Sequence, residues 1–178
     1  MKREIIPVHE LALQPFAAWD QTWFLLTAGE NKPGRFNSMT VSWGALGWIW
    51  ERPLATVVVR PQRYTREFME KHHSFSLCAL AEEHRESLKM LGTLSGRDTD
   101  KMARSGLTPI ALSQIPCPGF DEAELILECR KTYFTDLDPR NFLVDFIGPH
   151  YRGDYHRVYF AEVLAASGRT RYRRLEPR

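Results

Sequence analysis

Short apolar segments dominate the first half of the chain. Runs of strand length, rich in β-branched and aromatic residues, are separated by Asn, Gly and Pro; they are Thr22–Thr27, Ser38–Trp43, Leu54–Val59 and Phe75–Leu80. Leu54–Val59 is apolar on both faces, which predicts a central strand. Phe75–Leu80 alternates large with small side chains, which predicts a strand that packs on one face.

Other segments follow the spacing of a helix. Tyr64–His72 and Glu83–Leu91 each place apolar residues on one helical side. A third helix is predicted to start at Asp98, because Ser95–Asp98 supplies turn and N-cap chemistry, and to stop at Gly106.

The second half of the chain predicts a long loop followed by long strands. The segment Pro109–Phe120 contains several prolines, and alternating patterns follow near Glu124–Thr135 and Arg157–Ala165. Strands outweigh helices and no βαβ series is visible. The predicted fold is therefore mainly β, a barrel with a few peripheral helices, formed by residues 1–178 as a single domain.

Charge and composition exclude several classes of partner. The formal net charge is +2 over 178 residues, too small a bias to predict nucleic acid or an anionic membrane as a partner. The longest apolar run, Trp43–Trp50, is too short to cross a bilayer, and Lys2-Arg3 is not followed by a signal-peptide core. The arginine-rich end, Arg169–Arg178, is interpreted as a solvated terminus.

Cysteine usage indicates a reducing compartment. The chain has three cysteines, Cys78, Cys117 and Cys129, with no CxxC spacing, and an odd number argues against a disulfide framework. Cys78 and Cys129 fall in strand patterns and are interpreted as small buried hydrophobic residues. We expect a soluble, cytoplasmic protein.

Three segments carry candidate chemistry. The first, Arg35–Gly44, places small polar side chains along a strand that ends at Trp43. Such a strip suits a flat polar ligand, although a strand with one solvated face has the same pattern.

The second segment, Arg60–Thr65, brings two guanidinium groups and a hydroxyl to the junction of a strand and a helix. Free N–H groups and the positive end of the helix dipole favour a phosphate there, and arginine adds paired donors. Thr65 as a simple cap and the arginines as surface charges are the alternative.

The third segment, Ser95–Lys101, places Arg97 and Lys101 four positions apart. Both side chains could reach one anionic or carbonyl-rich ligand, or the segment could only cap a helix.

Other familiar sites are missing from the sequence. There is no GxGxxG segment and no Walker-type loop, which argues against a Rossmann site and a nucleotide hydrolase. No HExxH or Cys/His cluster occurs among the six histidines, so no metal site is predicted.

Taken together and in this order, the three segments resemble the flavin reductase-like, FMN-binding split-barrel proteins, in particular their flavoredoxin-like branch. The resemblance runs from about Trp23 to Tyr172 and includes Gly153–Arg157 and the strand Val158–Val163. Ala161 departs from it, because a glycine is common there in the family.

The resemblance implies a homodimer of split, Greek-key β-barrels, each of which holds one FMN non-covalently near the dimer interface. Asn37, Trp43, Thr65, Lys101 and His156 match positions that contact the cofactor, while Arg60 and Arg63 are implied phosphate ligands. The full set of implied cofactor-binding positions is Asn37, Ser38, Met39, Thr40, Ser42, Trp43, Arg60, Arg63, Tyr64, Thr65, Ser95, Gly96, Arg97, Lys101, His156 and Tyr172.

The function implied is that of an NAD(P)H:flavin oxidoreductase, with NADH or NADPH as electron donor and a small molecule or redox protein as partner. The flavin supplies the redox chemistry, so no catalytic residue is predicted, and a cation such as Lys101 near the ring would raise its reduction potential. A flavoredoxin-like electron carrier without NAD(P)H activity is the alternative. Barrels that bind haem or oxidise pyridoxamine phosphate would explain Arg60–Thr65 but not the other two segments.

Overall fold

The computed structural model describes residues 2–174, and β-strands are its main regular secondary structure. The strands are β1 Glu4–Ile6, β2 Phe24–Gly29, β3 Phe36–Val41, β4 Gly44–Ile49, β5 Arg52–Val59, β6 Ser74–Leu80, β7 Pro109–Ile110, β8 Gly119–Phe120, β9 Ala123–Asp136 and β10 Arg157–Gly168. The helices are α1 Pro15–Ala17, which continues as a π-helical segment Ala18–Thr22, α2 Tyr64–Lys71, α3 Arg85–Thr93 and α4 Lys101–Ser105.

One antiparallel sheet organises the molecule. Its strands lie in the order β3-β2-β6-β9-β10-β5-β4, with β1 added to the end of β10, while β7 and β8 form a separate small pair. Strands β9 and β10 pair along most of their length, and the register between them shifts at Phe160/Ala161 and Val163/Ala165. Such irregularities bend and twist strands, which lets long strands belong to both sides of a barrel. The predicted mainly β barrel with peripheral helices is confirmed.

Two hydrophobic clusters lie on the two faces of the sheet. The larger cluster includes Trp19, Phe24, Phe75 and Tyr159. The smaller cluster, which includes Leu25, Cys78, Leu88 and Phe120, lies between the sheet and α3. All seven residues of β6 are buried, so the prediction that this strand packs on one face was wrong. The alternation of large and small side chains in β6 suggested one packed face, but α3 and the segment before β9 cover the second face as well.

The predicted elements are present with small shifts at their ends. The predicted strands correspond to β2, β3, β5, β6, β9 and β10, and the predicted helices to α2, α3 and α4. Strand β4 was not predicted, since its sequence contains two glycines and five of its six residues are exposed. Glycine weakens a strand pattern, and an exposed edge lacks the alternation of a half-buried strand.

Helix α4 starts later than predicted. Asp100, not Asp98, is the N-cap, and its carboxylate accepts a hydrogen bond of 3.0 Å from the Ala103 N–H. Gly106 ends the helix in the left-handed conformation with φ of 69°, as predicted.

The proline-rich loop is attached to the sheet by a buried carboxylate. Glu128 of β9 accepts hydrogen bonds from the Ser113 hydroxyl, at 3.1 Å, and the Gln114 N–H, at 2.6 Å. The loop that the sequence predicted for Pro109–Phe120 is thus held in place, with β7 and β8 at its two ends.

The arginine-rich end is not simply solvated. Arg169 and Arg171 both form ion pairs with Glu124, which is buried, and Arg173 pairs with Glu10. Residues 175–178 of this end lie outside the described residues. Within residues 2–174 no helix is long and apolar enough to cross a membrane, and no group of three or more His, Cys, Asp or Glu side chains is arranged to hold a metal ion.

Candidate functional site

The end of β3 and the junction between β5 and α2 form the walls of a small open cavity. Its volume is about 180 Å³. Residues from three separate stretches of sequence line it: Met39, Thr40, Val41, Ser42, Trp43, Val58, Arg60, Arg63 and His156. Seven of the positions that the sequence predicted therefore lie around one space: Met39, Thr40, Ser42, Trp43, Arg60, Arg63 and His156.

The polar side chains of β3 do not form one free strip. The Ser38 hydroxyl is buried and lies 2.7 Å from the Thr27 hydroxyl on the neighbouring strand. The Thr40 hydroxyl donates to the Leu88 carbonyl of α3 at 2.5 Å. These side chains hold the strand to its neighbours, while Ser42 is exposed at the cavity edge. The interpretation of this segment as a free polar strip was therefore wrong for the hydroxyls of Ser38 and Thr40, and a ligand contact at Ser42, just after β3, stays a prediction.

Arg60 is already paired within the protein. Its Nη1 lies 2.5 Å from Asp154 Oδ2, and its Nη2 donates to the His150 carbonyl at 2.8 Å. Asp154 also accepts from the Gln62 amide and the Arg152 N–H, and these donors together hold the pKa of its carboxyl well below the usual range. The Asp154 carboxylate thus stays ionised and compensates the Arg60 charge.

Arg63 has no such counter-ion. It is half-buried in the cavity wall, and its side chain forms no hydrogen bond or ion pair with any residue of the described part. Burial first, and the Arg60 charge second, lower the pKa of its guanidinium. Arginine nevertheless remains protonated in proteins, so Arg63 brings an uncompensated positive charge to the cavity.

Aromatic rings form another part of the cavity wall. Trp43, which is 43% exposed, lies with its ring centroid 5.3 Å from His156 and 5.4 Å from His150. His156 is buried, and its Nδ1 lies 2.8 Å from the Tyr151 hydroxyl. Burial, together with the Arg60 charge, lowers the pKa of His156 to about 4, so the imidazole is neutral at pH 7.

A buried polar contact joins β3 to α2 behind the cavity. The Asn37 Nδ2 donates to Thr65 Oγ1 at 2.7 Å, and both side chains are almost fully buried. Gly96 packs against Asn37 so closely that a Cβ there would lie 2.4 Å from Asn37 Oδ1 and 3.0 Å from the Tyr64 ring. Thr65 is therefore an acceptor for Asn37, and α2 has no side-chain N-cap.

A second cavity of about 710 Å³ lies on the other side of this contact. Asn37, Tyr64, Gly96, Arg97 and Lys101 all line it. Twelve of the sixteen implied cofactor-binding positions thus line one of two cavities, seven the small one and five the larger one, while Ser38, Thr65, Ser95 and Tyr172 line neither. The sequence did not predict this division.

Lys101 and Arg97 do not converge on one point. Lys101 is buried, and its Nζ donates to the carbonyls of Leu91 and Leu94 at 3.0 and 3.1 Å. Arg97 is exposed and binds Glu67 of α2 at 2.5 Å. Because α4 begins at Lys101, the spacing of four residues does not place the two side chains on one helical side, and that interpretation was wrong.

The charges of this region repel one another. Burial and then the Arg63 charge lower the pKa of Lys101 to about 8. The Arg60 charge likewise lowers the pKa of Arg63, so Arg60 repels Arg63 and Arg63 repels Lys101. The Arg60 charge is offset by Asp154, whereas the ammonium of Lys101 meets only carbonyl oxygens. An anion placed beside Arg63 would relieve this repulsion.

Tyr172 and Ser95 are two of the predicted positions that line neither cavity. Tyr172 is buried in the larger core cluster, its carbonyl accepts from the Ala12 N–H, and it lines neither cavity. The Ser95 hydroxyl accepts from the Arg97 N–H at 3.2 Å, which fixes the turn before α4. A direct role of either residue in ligand binding stays a prediction.

Sequence reasoning missed Tyr151 and Asp154 as parts of the wall behind the cavity. Gly153–Arg157 carried the resemblance, but only His156 was assigned a role from it. The only sequence evidence for their role was that Tyr151 and Asp154 lie within five positions of His156.

Comparisons with known proteins fit this architecture. Residues 19–174 match the model of the flavin reductase like domain. The chain therefore belongs to the flavin reductase-like family.

Solved structures share the fold along most of the chain. An FMN-binding domain of a flavin reductase-like enzyme from Shewanella baltica has a TM-score of 0.68 and 19% identity, covering 95% of this chain and 78% of that one. The flavoredoxin from Methanosarcina acetivorans has a TM-score of 0.64 and 23% identity, covering 92% and 74%. At these identities the likeness shows the fold, a split barrel as predicted.

One curated relative is similar over part of its length. An uncharacterized protein of Archaeoglobus fulgidus is 28% identical over 107 residues, which are 60% of this chain and 58% of that protein. The match thus spans little more than half of that relative.

Proposed function

We propose that this protein binds FMN and passes electrons from NADH or NADPH through it. The observation that carries the proposal is the guanidinium of Arg63 in the cavity wall, which pairs with no residue among 2–174 and lies next to the start of α2. A phosphate is the group that such an arrangement binds well, because forked N–H donors and a helix N-terminus both favour it.

The rest of the cavity suits a planar ring joined to that phosphate. Trp43 and Met39 offer apolar surface, and His156 offers a ring nitrogen. Ser42 and Trp43 are exposed, so a ligand larger than the cavity can extend along this edge. When bound, FMN supplies the two-electron redox chemistry, while the protein binds the phosphate, orients the ring and sets its electrostatic surroundings.

Titration of the purified protein with FMN, followed by flavin absorbance and fluorescence, tests the binding step. Arg63→Gln should weaken FMN binding about ten- to hundred-fold, because a hydrogen bond to a charged group contributes about 1.5–3 kcal/mol. Arg104→Gln is the matched control, since Arg104 is exposed on α4 and lines neither cavity. Equal affinities of the two variants, or no saturable FMN binding by the wild type, would refute the proposal.

The electron donor requires a second measurement. We expect the FMN-loaded protein to lose its flavin absorbance on addition of NADH or NADPH under anaerobic conditions. Reduction by dithionite but by neither nicotinamide would instead support an electron carrier, a role favoured by the likeness to flavoredoxins from Methanosarcina acetivorans and Desulfovibrio vulgaris.

We further propose that the protein forms a homodimer near this site. Large apolar side chains are exposed on the β4–β5 hairpin, on the second half of β9 and in the segment after it; they include Trp48, Trp50, Phe134, Leu143 and Phe146. Apolar exposure concentrated in this way favours a protein partner, and a second copy would also cover the exposed edge at Trp43. Light scattering with size-exclusion chromatography should give twice the mass of one chain, and a monomer at micromolar concentration would contradict the proposal.

A further inference from the structure

The imidazole of His156 forms a hydrogen bond with the side chain of Tyr151. The Tyr151 hydroxyl lies 2.8 Å from His156 Nδ1, and the two rings meet edge to face with centroids 5.4 Å apart. Tyr151 is itself fixed, because it stacks on Phe142 and the Arg60 guanidinium lies 5.2 Å from its ring centroid. Tyr151 does not line the cavity, so it can influence a ligand there only through His156.

The direction of the hydrogen bond follows from the chemistry of the two groups. Burial raises the pKa of the Tyr151 phenol, which stays protonated, and His156 is neutral at pH 7. A phenol is a good donor, and the lone pair of a neutral imidazole nitrogen is a good acceptor. The hydroxyl has no other side-chain or backbone acceptor in the described residues, so donation to Nδ1 satisfies both groups.

The remaining nitrogen must then carry the proton. In a neutral imidazole one nitrogen is an acceptor and the other a donor, so acceptance at Nδ1 leaves the hydrogen on Nε2. His156 Nε2 forms no hydrogen bond within residues 2–174. If it were fully buried, it would be a buried polar atom without a partner, but among these residues only Trp19 Nε1 is such an atom. Nε2 is therefore accessible, and the ring lines the cavity.

We propose that Tyr151 is a positioning residue, whose hydroxyl donates a hydrogen bond to Nδ1 and so holds His156 in the Nε2–H tautomer. The cavity then receives a neutral N–H donor on the wall that faces the bound ring, for an acceptor atom of FMN. This inference rests on the proposed FMN site for its ligand, but the tautomer is a property of the protein alone.

The charged groups nearby are consistent with a neutral donor. Arg60 and Arg63 are the cations close to the ring, and Asp154 is the anion that acts on it. A second cation in place of neutral His156 would add to the repulsion described above. A neutral N–H contributes a donor without adding charge.

Nitrogen NMR of the ligand-free protein tests the tautomer directly. In protein labelled with nitrogen-15 at histidine, long-range proton–nitrogen spectra at pH 7 distinguish a protonated ring nitrogen from an unprotonated one. The His156 signals are assigned by their loss in His156→Gln. We expect Nε2 protonated and Nδ1 unprotonated in the wild type, and the wild-type spectrum alone overturns the proposal if it shows Nδ1 protonated.

Removal of the hydroxyl tests the cause. Tyr151→Phe should shift both His156 nitrogen signals toward the average of the two tautomers. Tyr155→Phe is the matched control, because its ring lies 5.0 Å from Tyr151 and its hydroxyl forms no hydrogen bond in the described part of the chain. An unchanged spectrum in Tyr151→Phe, or an equal change in Tyr155→Phe, would refute the role of Tyr151.

The same variants connect the tautomer to the ligand. Tyr151→Phe should weaken FMN binding about three- to ten-fold, while Tyr155→Phe leaves it unchanged. An unchanged FMN affinity in Tyr151→Phe, with the tautomer shifted, would refute the donor role. Failure of the wild type to bind FMN at all would instead refute the proposed function, and the tautomer result would remain interpretable.

Discussion

The side-chain amide of Asn37 donates a hydrogen bond of 2.7 Å to Thr65 Oγ1 and thereby joins strand β3 to helix α2. Both residues are buried, with 4% and 1% of their surface exposed. Because water cannot easily replace a lost partner there, the contact fixes the position of the helix start relative to the strand. The walls of the small cavity depend on that relationship.

Thr65→Val is expected to destabilise the protein. The substitution keeps the shape of the side chain but leaves the Asn37 amide without its closest acceptor, at a cost of about 1–3 kcal/mol in the free energy of unfolding. Urea denaturation measures this change. In a double-mutant cycle with Asn37→Ala, the loss of unfolding free energy in the double mutant should be smaller than the sum of the losses in the two single mutants. Strict additivity would show that the contact contributes nothing to stability.

Gly96→Ala should also destabilise the protein, by about 1–3 kcal/mol, because the new methyl group would meet Asn37 Oδ1 at 2.4 Å and neither Asn37 nor Tyr64 is free to move. Gly47→Ala is the control, since nothing lies within 4 Å of the corresponding Cβ on β4. Thermal unfolding of the two variants gives the comparison. Equal melting temperatures would mean that the Ser95–Lys101 segment yields to the methyl group without cost.

Stability should depend on pH through His156. The pKa of this imidazole is about 4 in the native protein, against 6.5 for an unperturbed histidine. Between these values the unfolded chain holds a proton that the native protein lacks, so the free energy of unfolding rises as the pH rises. From pH 5 to pH 7 the expected gain is roughly 1–2 kcal/mol.

His156→Gln isolates this contribution from the other titrating groups. The difference in unfolding free energy between the wild type and the variant, measured in urea at both pH values, should be larger at pH 7. A difference that does not change with pH would mean that the native pKa of His156 is not lowered.

The three cysteines should be inert in the native protein. All are free and buried, and burial raises the pKa of Cys78 and Cys117 to about 12. The thiolate is the reactive form, so a thiol reagent such as Ellman's reagent should modify none of them at pH 8 without denaturant and all three in urea. Rapid modification of even one native thiol would contradict this.

The sequence predicted the fold well where burial imposes a pattern. The apolar residues of Leu54–Val59 predicted a central strand, and β5 does lie between β10 and β4; the alternation in Arg157–Ala165 corresponds to the long strand β10. The exposed hairpin strand β4 lacked both patterns. Its residues pack against little in a single chain, so nothing in their order indicated a strand.

The candidate site was predicted less completely. Arg60 and Arg63 stand in one sequence segment with the same apparent role, yet only Arg60 meets a carboxylate. That carboxylate, Asp154, is distant in sequence, and a pattern within one segment cannot reveal which charge a distant loop compensates. The same reason explains why Lys101, expected near a ligand, uses two of its three donors on the end of α3.

The exposed hairpin at the end of β4 gives the protein a built-in optical reporter. Trp48 and Trp50 have 66% and 60% of their surface in contact with water. Indole emission moves to shorter wavelength when water is excluded, so association of two chains through this hairpin can be followed by intrinsic fluorescence as the protein is diluted, without any label.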